Sequence, residues 1–263
     1  MRIVDVHCHL ESSEFNGALD HVIDEARKAG IVAMITASIQ PQQWEISRKI
    51  ALRFPDVHFA LGIHPWYLDE SYLRRIDELA AAREQGAVAI GEIGLDKKLS
   101  NADFDLQLQF FSRQLAVARD INLPVVIHCR GAFKELLSIL RSEGAPRAGG
   151  VVHAFSGSIE IAVALAEMGL CVSMGGTLTM RNSKKRESVL RKVYPDFFML
   201  ESDAPDIPPV QAMGGVNYPH YIRYSLAAAA EILGESESAV AEHTTRNAAR
   251  VFNLHIPLRM RRL

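Results

Sequence analysis

The chain has 263 residues, 48% of them hydrophobic and 23% charged; this make-up excludes disordered and fibrous classes and suffices for one large α/β domain. A formal net charge of −2 excludes a global field that draws in nucleic acid, so any polyanion must be met by local basic groups. The three cysteines, Cys8, Cys129 and Cys171, form no C-x-x-C pair, and no apolar run approaches the roughly 18 residues of a membrane span. The expectation is a reduced, cytoplasmic protein with no secretory leader and no membrane partner.

Eight apolar, mostly β-branched runs recur along the chain, at residues 3–6, 31–36, 57–63, 87–90, 123–127, 150–152, 170–174 and 197–200. Segments with helical periodicity lie between them. Leu19, Val22, Ile23 and Ala26 repeat at spacings of three and four, and so does the stretch from Trp44 to Ala51. Leu73, Ile76 and Leu79 read as a further helix. Phe104, Leu108, Phe111, Leu115 and Ala118 mark a long amphipathic one. Shorter helices are read at 133–140, 159–166 and 189–193, and two more at 221–233 and 237–252. Strand ends recur at roughly 30 residues, the size of one strand–helix unit. The runs are unbroken more often than alternating, the pattern of parallel strands buried on both faces. Gly30, Gly86, Gly144 and Gly169 stand just before strands, where helices end in left-handed caps. With no linker and no low-complexity tract, the sequence predicts one domain over residues 1–263, an α/β protein of the (β/α)8 TIM-barrel class. An open doubly wound sheet is the competing fold, but no Gly-x-Gly-x-x-Gly follows the first strand.

In such barrels catalytic groups sit at the C-terminal ends of strands. His7 and His9 end the first strand, two residues apart and so on one face. His64 ends the third, Glu92 the fourth, His128 the fifth, His153 the sixth and Asp203 the eighth. Each alone reads as a hydrogen-bonded structural group. Together, at one rim, they read as a metal site, because imidazole and carboxylate are the usual donors to zinc and similar ions. His7, His9 and Asp203 can hold one ion, and His128 and His153 a second. Glu92, with two oxygens, can bridge them. Two ions side by side activate water and clamp the attacking and leaving oxygens. The second oxygen of Asp203 can then take a proton as general base. The expected cofactor is two divalent metal ions per chain, Zn, Mn or Mg, with the histidines favouring Zn or Mn.

Arg130, two beyond His128, suits an anionic oxygen. His64 reads as a phosphate contact. Ser156-Gly157-Ser158 precedes a helix, either as an anion contact or as an N-cap. The basic segment 181–186 can steer a polyanion, Glu201 shares the side of Asp203, and Cys8 alternates away from the histidines into helix packing. The tail at 259–263 is basic and expected to fray. His21, His58, His220, His243 and His255 fall away from this rim.

Six of these motifs together resemble the TatD-type metal-dependent hydrolases, which belong to the amidohydrolase-like barrels. They are Asp5-Val6-His7-Cys8-His9-Leu10, Gly62-Ile63-His64-Pro65, Gly91-Glu92-Ile93-Gly94-Leu95-Asp96, Ile127-His128-Cys129-Arg130, His153-Ala154-Phe155-Ser156-Gly157 and Glu201-Ser202-Asp203-Ala204-Pro205. The resemblance runs from Arg2 to about Leu254 and includes Thr245, Asn247, Val251 and Phe252. It implies a dinuclear centre on His7, His9, Glu92, His128, His153 and Asp203, with His64 and Arg130 beside the substrate phosphate. It also implies deoxyribonuclease activity; the pit of a barrel mouth, the low net charge and the lack of a row of aromatics lead to the expectation of an exonuclease-like action on single-stranded or frayed DNA ends with little sequence preference. Three positions depart from the family pattern: Lys97 stands where an aromatic residue is common, Ala154 where cysteine is common, and the stretch 206–217 where a basic loop is usual. Two other readings stay open, a hydrolase of small phosphoesters, amides or lactones and a non-catalytic, metal-stabilised scaffold.

Overall fold

The computed structural model describes residues 1–100, 103–180 and 183–256. Arg181 and Asn182 of the expected basic segment, and the tail at 259–263, lie outside the described residues. Eight strands occur where the sequence predicts them: β1 (Ile3–Cys8), β2 (Ile31–Ala37), β3 (Val57–Leu61), β4 (Ala89–Asp96), β5 (Val125–Arg130), β6 (Gly150–Val152), β7 (Leu170–Met174) and β8 (Phe198–Leu200). They pair in parallel, each with the next, in the order β1 to β8. Between and after them come α1 (Leu19–Lys28), α2 (Trp44–Arg53), α3 (Phe104–Asp120), α4 (Phe133–Glu143), α5 (Ile159–Glu167), α6 (Lys184–Val193), α7 (Ile222–Leu233) and α8 (Glu237–Phe252). Side-chain caps start several of them: Asp103 for α3, Ser158 for α5, Ser183 for α6 and Ser236 for α8. Gly234, left-handed at φ 73°, ends α7.

The segment Glu70–Ala81 is a 3-10 helix and not an α-helix. Its apolar residues Leu73, Ile76 and Leu79 repeat strictly at three. In a three-fold helix such residues eclipse one another along one line, and here that line packs on the core.

Two apolar clusters fill the fold. The larger lies between strands and helices and contains Cys8, Ile90, Ile93, Leu95, Ile127, Cys129 and Val152. The smaller fills the barrel with Val4, Val6, Ala33, Ile35, Ala37, Ala60, Ala89, Val126, Val151, Cys171 and Met199. Val251, Phe252 and Leu254, at and just after the end of α8, join that inner cluster and close it from below. Burying each contributes about 1.5–3 kcal/mol.

Strict alternation fails at two strands, and both failures matter. On β1, Val6 faces inward and Cys8 outward. Between them the register slips: Asp5 to Cys8 spans three steps against two on β2, from Met34 to Thr36. On β4, Ile90 and Ile93 both face the helices, and they span three steps against two on β5, from Val125 to Ile127. An extra residue of this kind re-aims the side chains around it. By period two from Ile90, Glu92 would point at the helices; the bulge turns it into the barrel.

Among the described residues the strand ladder has no β8–β1 pair. The seam closes by other bonds. His7 O accepts from Asp203 N at 2.9 Å, and His9 N donates to Ala204 O at 2.7 Å. The buried carboxylate of Asp5 accepts from Ser202 N at 2.8 Å and Ser202 Oγ at 2.5 Å.

Candidate metal centre

Glu92 is the hub of the mouth and is 2% exposed. Two glycines let its neighbours come close. A Cβ on Gly62 would stand 2.7 Å from the Glu92 carbonyl oxygen, and one on Gly94, at φ 151°, would stand 1.9 Å from the carbonyl of His128. The two oxygens of Glu92 divide the surrounding donors. Oε2 lies 3.4 Å from His7 Nε2 and 3.5 Å from His9 Nε2. Asp203 Oδ1 completes that side, 3.3 Å from His7 Nε2 and 3.7 Å from His9 Nε2. Oε1 lies 2.8 Å from His153 Nε2, 3.0 Å from His64 Nε2 and 3.2 Å from His128 Nδ1. The His153 ring stacks on His7 with centroids 3.9 Å apart, so it borders both sides.

Neighbours aim these rings. His9 Nδ1 bonds to the Ala37 carbonyl at 2.8 Å, which leaves Nε2 facing Glu92. His128 Nε2 meets Asp96 Oδ2 at 3.2 Å, which leaves Nδ1 facing Glu92. A carbonyl or carboxylate behind an imidazole is the arrangement that fixes the tautomer of a metal-binding histidine. Both ring nitrogens of His7, and Nδ1 of His153, are buried without a hydrogen bond. Leaving buried polar atoms unpaired is costly, and a cation held at about 2 Å would satisfy the inward-facing ones. Three trios have donor atoms within 4.8 Å of one another: His7–His153–Asp203, His7–His9–Glu92 and His64–Glu92–His128. The donor set is nitrogen and oxygen, in the proportions divalent transition ions take. The residues fit such ions.

The electrostatics agree. Burial pushes the Glu92 carboxyl upward, but the imidazoles of His64, His153 and His7 outweigh it and hold the group well below the usual range. Burial takes His153 down to about 4, with His7 adding to the effect, so its ring is neutral. Burial opposes a charge on His128 too, yet its bonds to Asp96 and Glu92 raise it to about 9. Cation binding at such a site displaces protons.

A family model described as TatD related DNase matches residues 4–253. The chain belongs to the TatD-related DNase family of metal-dependent hydrolases. YabD of Bacillus subtilis, named an uncharacterized metal-dependent hydrolase, is 31% identical over 256 residues, 96% of this chain and 100% of that one. YjjV of Escherichia coli, named likewise, is 30% identical and covers 96% of this chain and 98% of its own. The crystal structure of YjjV matches this TatD-family chain with a TM-score of 0.90 at 29% identity, over 96% of this chain and 98% of that one. A TatD family hydrolase from Entamoeba histolytica, 19% identical with a TM-score of 0.80, shares the fold.

In this TatD-family barrel all six expected donors, His7, His9, Glu92, His128, His153 and Asp203, converge on one mouth. His64 lies closer in than a peripheral phosphate contact: its Nε2 joins the donors around Glu92, while Nδ1 accepts from Trp66 N at 3.1 Å. Arg130 stands at the rim, held through Nε to Asp96 at 3.0 Å. Glu201 accepts from Ala154 N at 2.8 Å and from Ser173 Oγ, and so fixes the turn just after His153. Ser158 caps α5, and Ser156 O accepts from Lys185 Nζ at 2.7 Å, so the Ser-Gly-Ser stretch is structural. Asp5, Trp66 and Asp96 escaped the reading of the sequence as site residues. Asp96 binds Trp66 Nε1 at 2.7 Å, His128 and Arg130 together. Burial opposes its charge, but these bonds hold its carboxyl below the usual range. The signal for it was weak, because the apolar run ends at Ile90 while the strand continues to Asp96.

Proposed function

We propose that the chain is a metal-dependent phosphodiesterase that removes nucleotides from single-stranded or frayed DNA ends with little sequence preference. The observation that carries this reading is the division of donors between the two oxygens of one buried carboxylate, with an arginine at the same rim. His7, His9, Glu92 and Asp203 would hold one divalent ion, and Glu92, His128 and His153 the other. When bound, such a pair supplies an activated water and charge stabilisation for both the attacking and the leaving oxygen. Asp203 accepts the proton of the attacking water on its free oxygen. Arg130, half-exposed and gripped at Nε by Asp96, has its terminal nitrogens left to pair with a non-bridging phosphate oxygen. His64, with Nε2 3.0 Å from Glu92 Oε1, would reach the same phosphate only by turning that nitrogen from the carboxylate.

A barrel mouth is a pit, which admits a strand end more readily than the middle of a duplex. The low net charge supports local contact with few phosphates over a long electrostatic track. No helix of the described residues is long and apolar enough to cross a membrane. The free, buried thiols of Cys8, Cys129 and Cys171 support a cytoplasmic setting.

The test is turnover of end-labelled single-stranded DNA with added Zn, Mn or Mg, with and without chelator. Stepwise shortening that chelator abolishes is the expected result. Efficient cutting of closed circular DNA would overturn it. So would an inert response to all DNA beside rapid cleavage of a small phosphate-free ester or amide.

A further inference from the structure

Trp66 sits in the 3-10 turn Pro65–Tyr67, directly after His64. Its indole is 47% exposed, yet its ring is fixed on several sides. Nε1 donates to Asp96 Oδ2 at 2.7 Å. The His64 ring meets it edge-on at 5.3 Å between centroids, and His128 lies 6.1 Å away. The Arg130 guanidinium lies over the indole, 5.5 Å from the ring centroid. An exposed tryptophan on a loose loop would be incidental. This one shares its anchor with the donor His128 and the rim Arg130, since all three bind Asp96. Asp96 is itself held at both ends of its peptide: its N–H donates to Gln107 Oε1 at 2.7 Å, and its carbonyl accepts from Gln107 Nε2 at 3.1 Å. Its carboxylate also accepts from Lys98 N at 2.8 Å. The indole is therefore indexed to the metal donors through one rigid carboxylate.

We infer that Trp66 is a stacking platform for one nucleobase, the base of the nucleotide whose phosphate meets Arg130 and the metal centre. The inference rests on the phosphodiesterase reading and adds to it the part of the substrate that the donor cluster cannot recognise. Every base has a π-face, so stacking on an indole is strong and tolerant of sequence. A guanidinium over the same ring favours planar, electron-rich partners and places a positive charge where the attached phosphate must lie. Tyr67, the next residue, is 39% exposed, but its ring contact is with His64, at 6.2 Å between centroids, and among the described residues none links it to Trp66, so the two rings do not form a row. One base is bound, not a track of bases.

The chain has two tryptophans, which makes the test optical. Trp44 is buried, with Nε1 donating to Gly62 O, and should respond little. Titration of the metal-loaded protein with a deoxynucleoside monophosphate should quench the Trp66 emission saturably. Deoxyribose 5-phosphate, which has no base, should bind more weakly by calorimetry and leave the emission unchanged. Trp66→Leu should weaken the nucleotide by roughly five- to a hundredfold and the base-free phosphate by less than about twofold. Trp66→Phe separates stacking from anchoring, because it keeps a ring and loses the bond to Asp96; it should retain most of the nucleotide affinity.

Any of three binding results overturns the inference: equal binding of nucleotide and base-free phosphate, a Trp66→Phe variant as weak as Trp66→Leu, or no binding of the nucleotide. The outcomes separate from those of the nuclease reading. Base-dependent binding without cleavage of any DNA would sink the nuclease and leave the platform. Cleavage of DNA by Trp66→Leu at the wild-type kcat/KM would do the reverse.

Discussion

Asp5→Ala removes the carboxylate that joins the two ends of the barrel. Ser202 N and Ser202 Oγ, both bonded to it, would be left as buried donors without partners. The His7 N contact at 3.4 Å is long and adds little. Each unsatisfied buried donor costs about 1–3 kcal/mol, so the loss is about 2–5 kcal/mol once partial relaxation is allowed. At roughly 2–4 °C per kcal/mol for a chain of this size, the melting temperature should fall by about 5–15 °C. The effect also depends on pH. Burial raises the Asp5 carboxyl to about 7 in the ion-free protein, against its bonds to Ser202. A group raised in the folded state stabilises fully below its unfolded value, near 4, and loses that contribution as pH climbs through 7. The gap between wild type and variant should therefore be wider at pH 5 than at pH 8 in chelator-treated protein. Circular dichroism melts at the two pH values, with metal retention measured in parallel, read both effects. Retention should weaken by about ten- to a hundredfold, because the seam sets Asp203 against His7 and His9. A variant within about 2 °C of wild type at both pH values, with metal retained, would refute the seam argument.

Three further outcomes follow from the site. Asp203→Asn keeps shape and one oxygen donor but loses the base; turnover should fall by about a hundredfold or more with melting little changed, as a single-turnover assay and a thermal scan will show. Glu92→Gln removes the one charge shared by both donor groups, so elemental analysis after reconstitution should give about one ion per chain or fewer in place of about two. Gly94→Ala puts a Cβ 1.9 Å from the His128 carbonyl at a φ that disfavours side chains; it should destabilise by about 3 kcal/mol or more, measured by urea denaturation, and loosen His128 with it.

The barrel was legible because buried parallel strands announce themselves as unbroken apolar runs, and all eight occur where those runs lie. The convergence of the six expected donors on one mouth was legible because each follows such a run. The reasons they face inward were less so. His7 and His9 share a face by alternation, yet His7 faces the interior only because β1 slips register between Asp5 and Cys8. Glu92 depends on the same device in β4. A bulge leaves no mark in hydrophobic periodicity. The groups that brace the donors were hidden for a related reason: Asp5, Trp66 and Asp96 act through bonds to residues far along the chain, and spacing reports only near neighbours. The helical reading of Leu73, Ile76 and Leu79 holds, and their strict spacing of three is the clue that the helix over Glu70–Ala81 is of the 3-10 type.

On the proposed metal reading, the seam also fixes when the chain can first assemble its donor set. Asp5 and Ser202 are 197 residues apart in sequence, and Asp203 comes directly after. During synthesis the two histidines of β1 meet Glu92 first and wait for nearly the whole chain before their second carboxylate partner, Asp203, exists. A truncated or stalled chain that ends before β8 has no seam and an incomplete donor set, so cations give it little of the stabilisation that a ligand confers on the state it binds. On the proposed metal reading, ion uptake would report that translation has passed the eighth strand and that the first has found it.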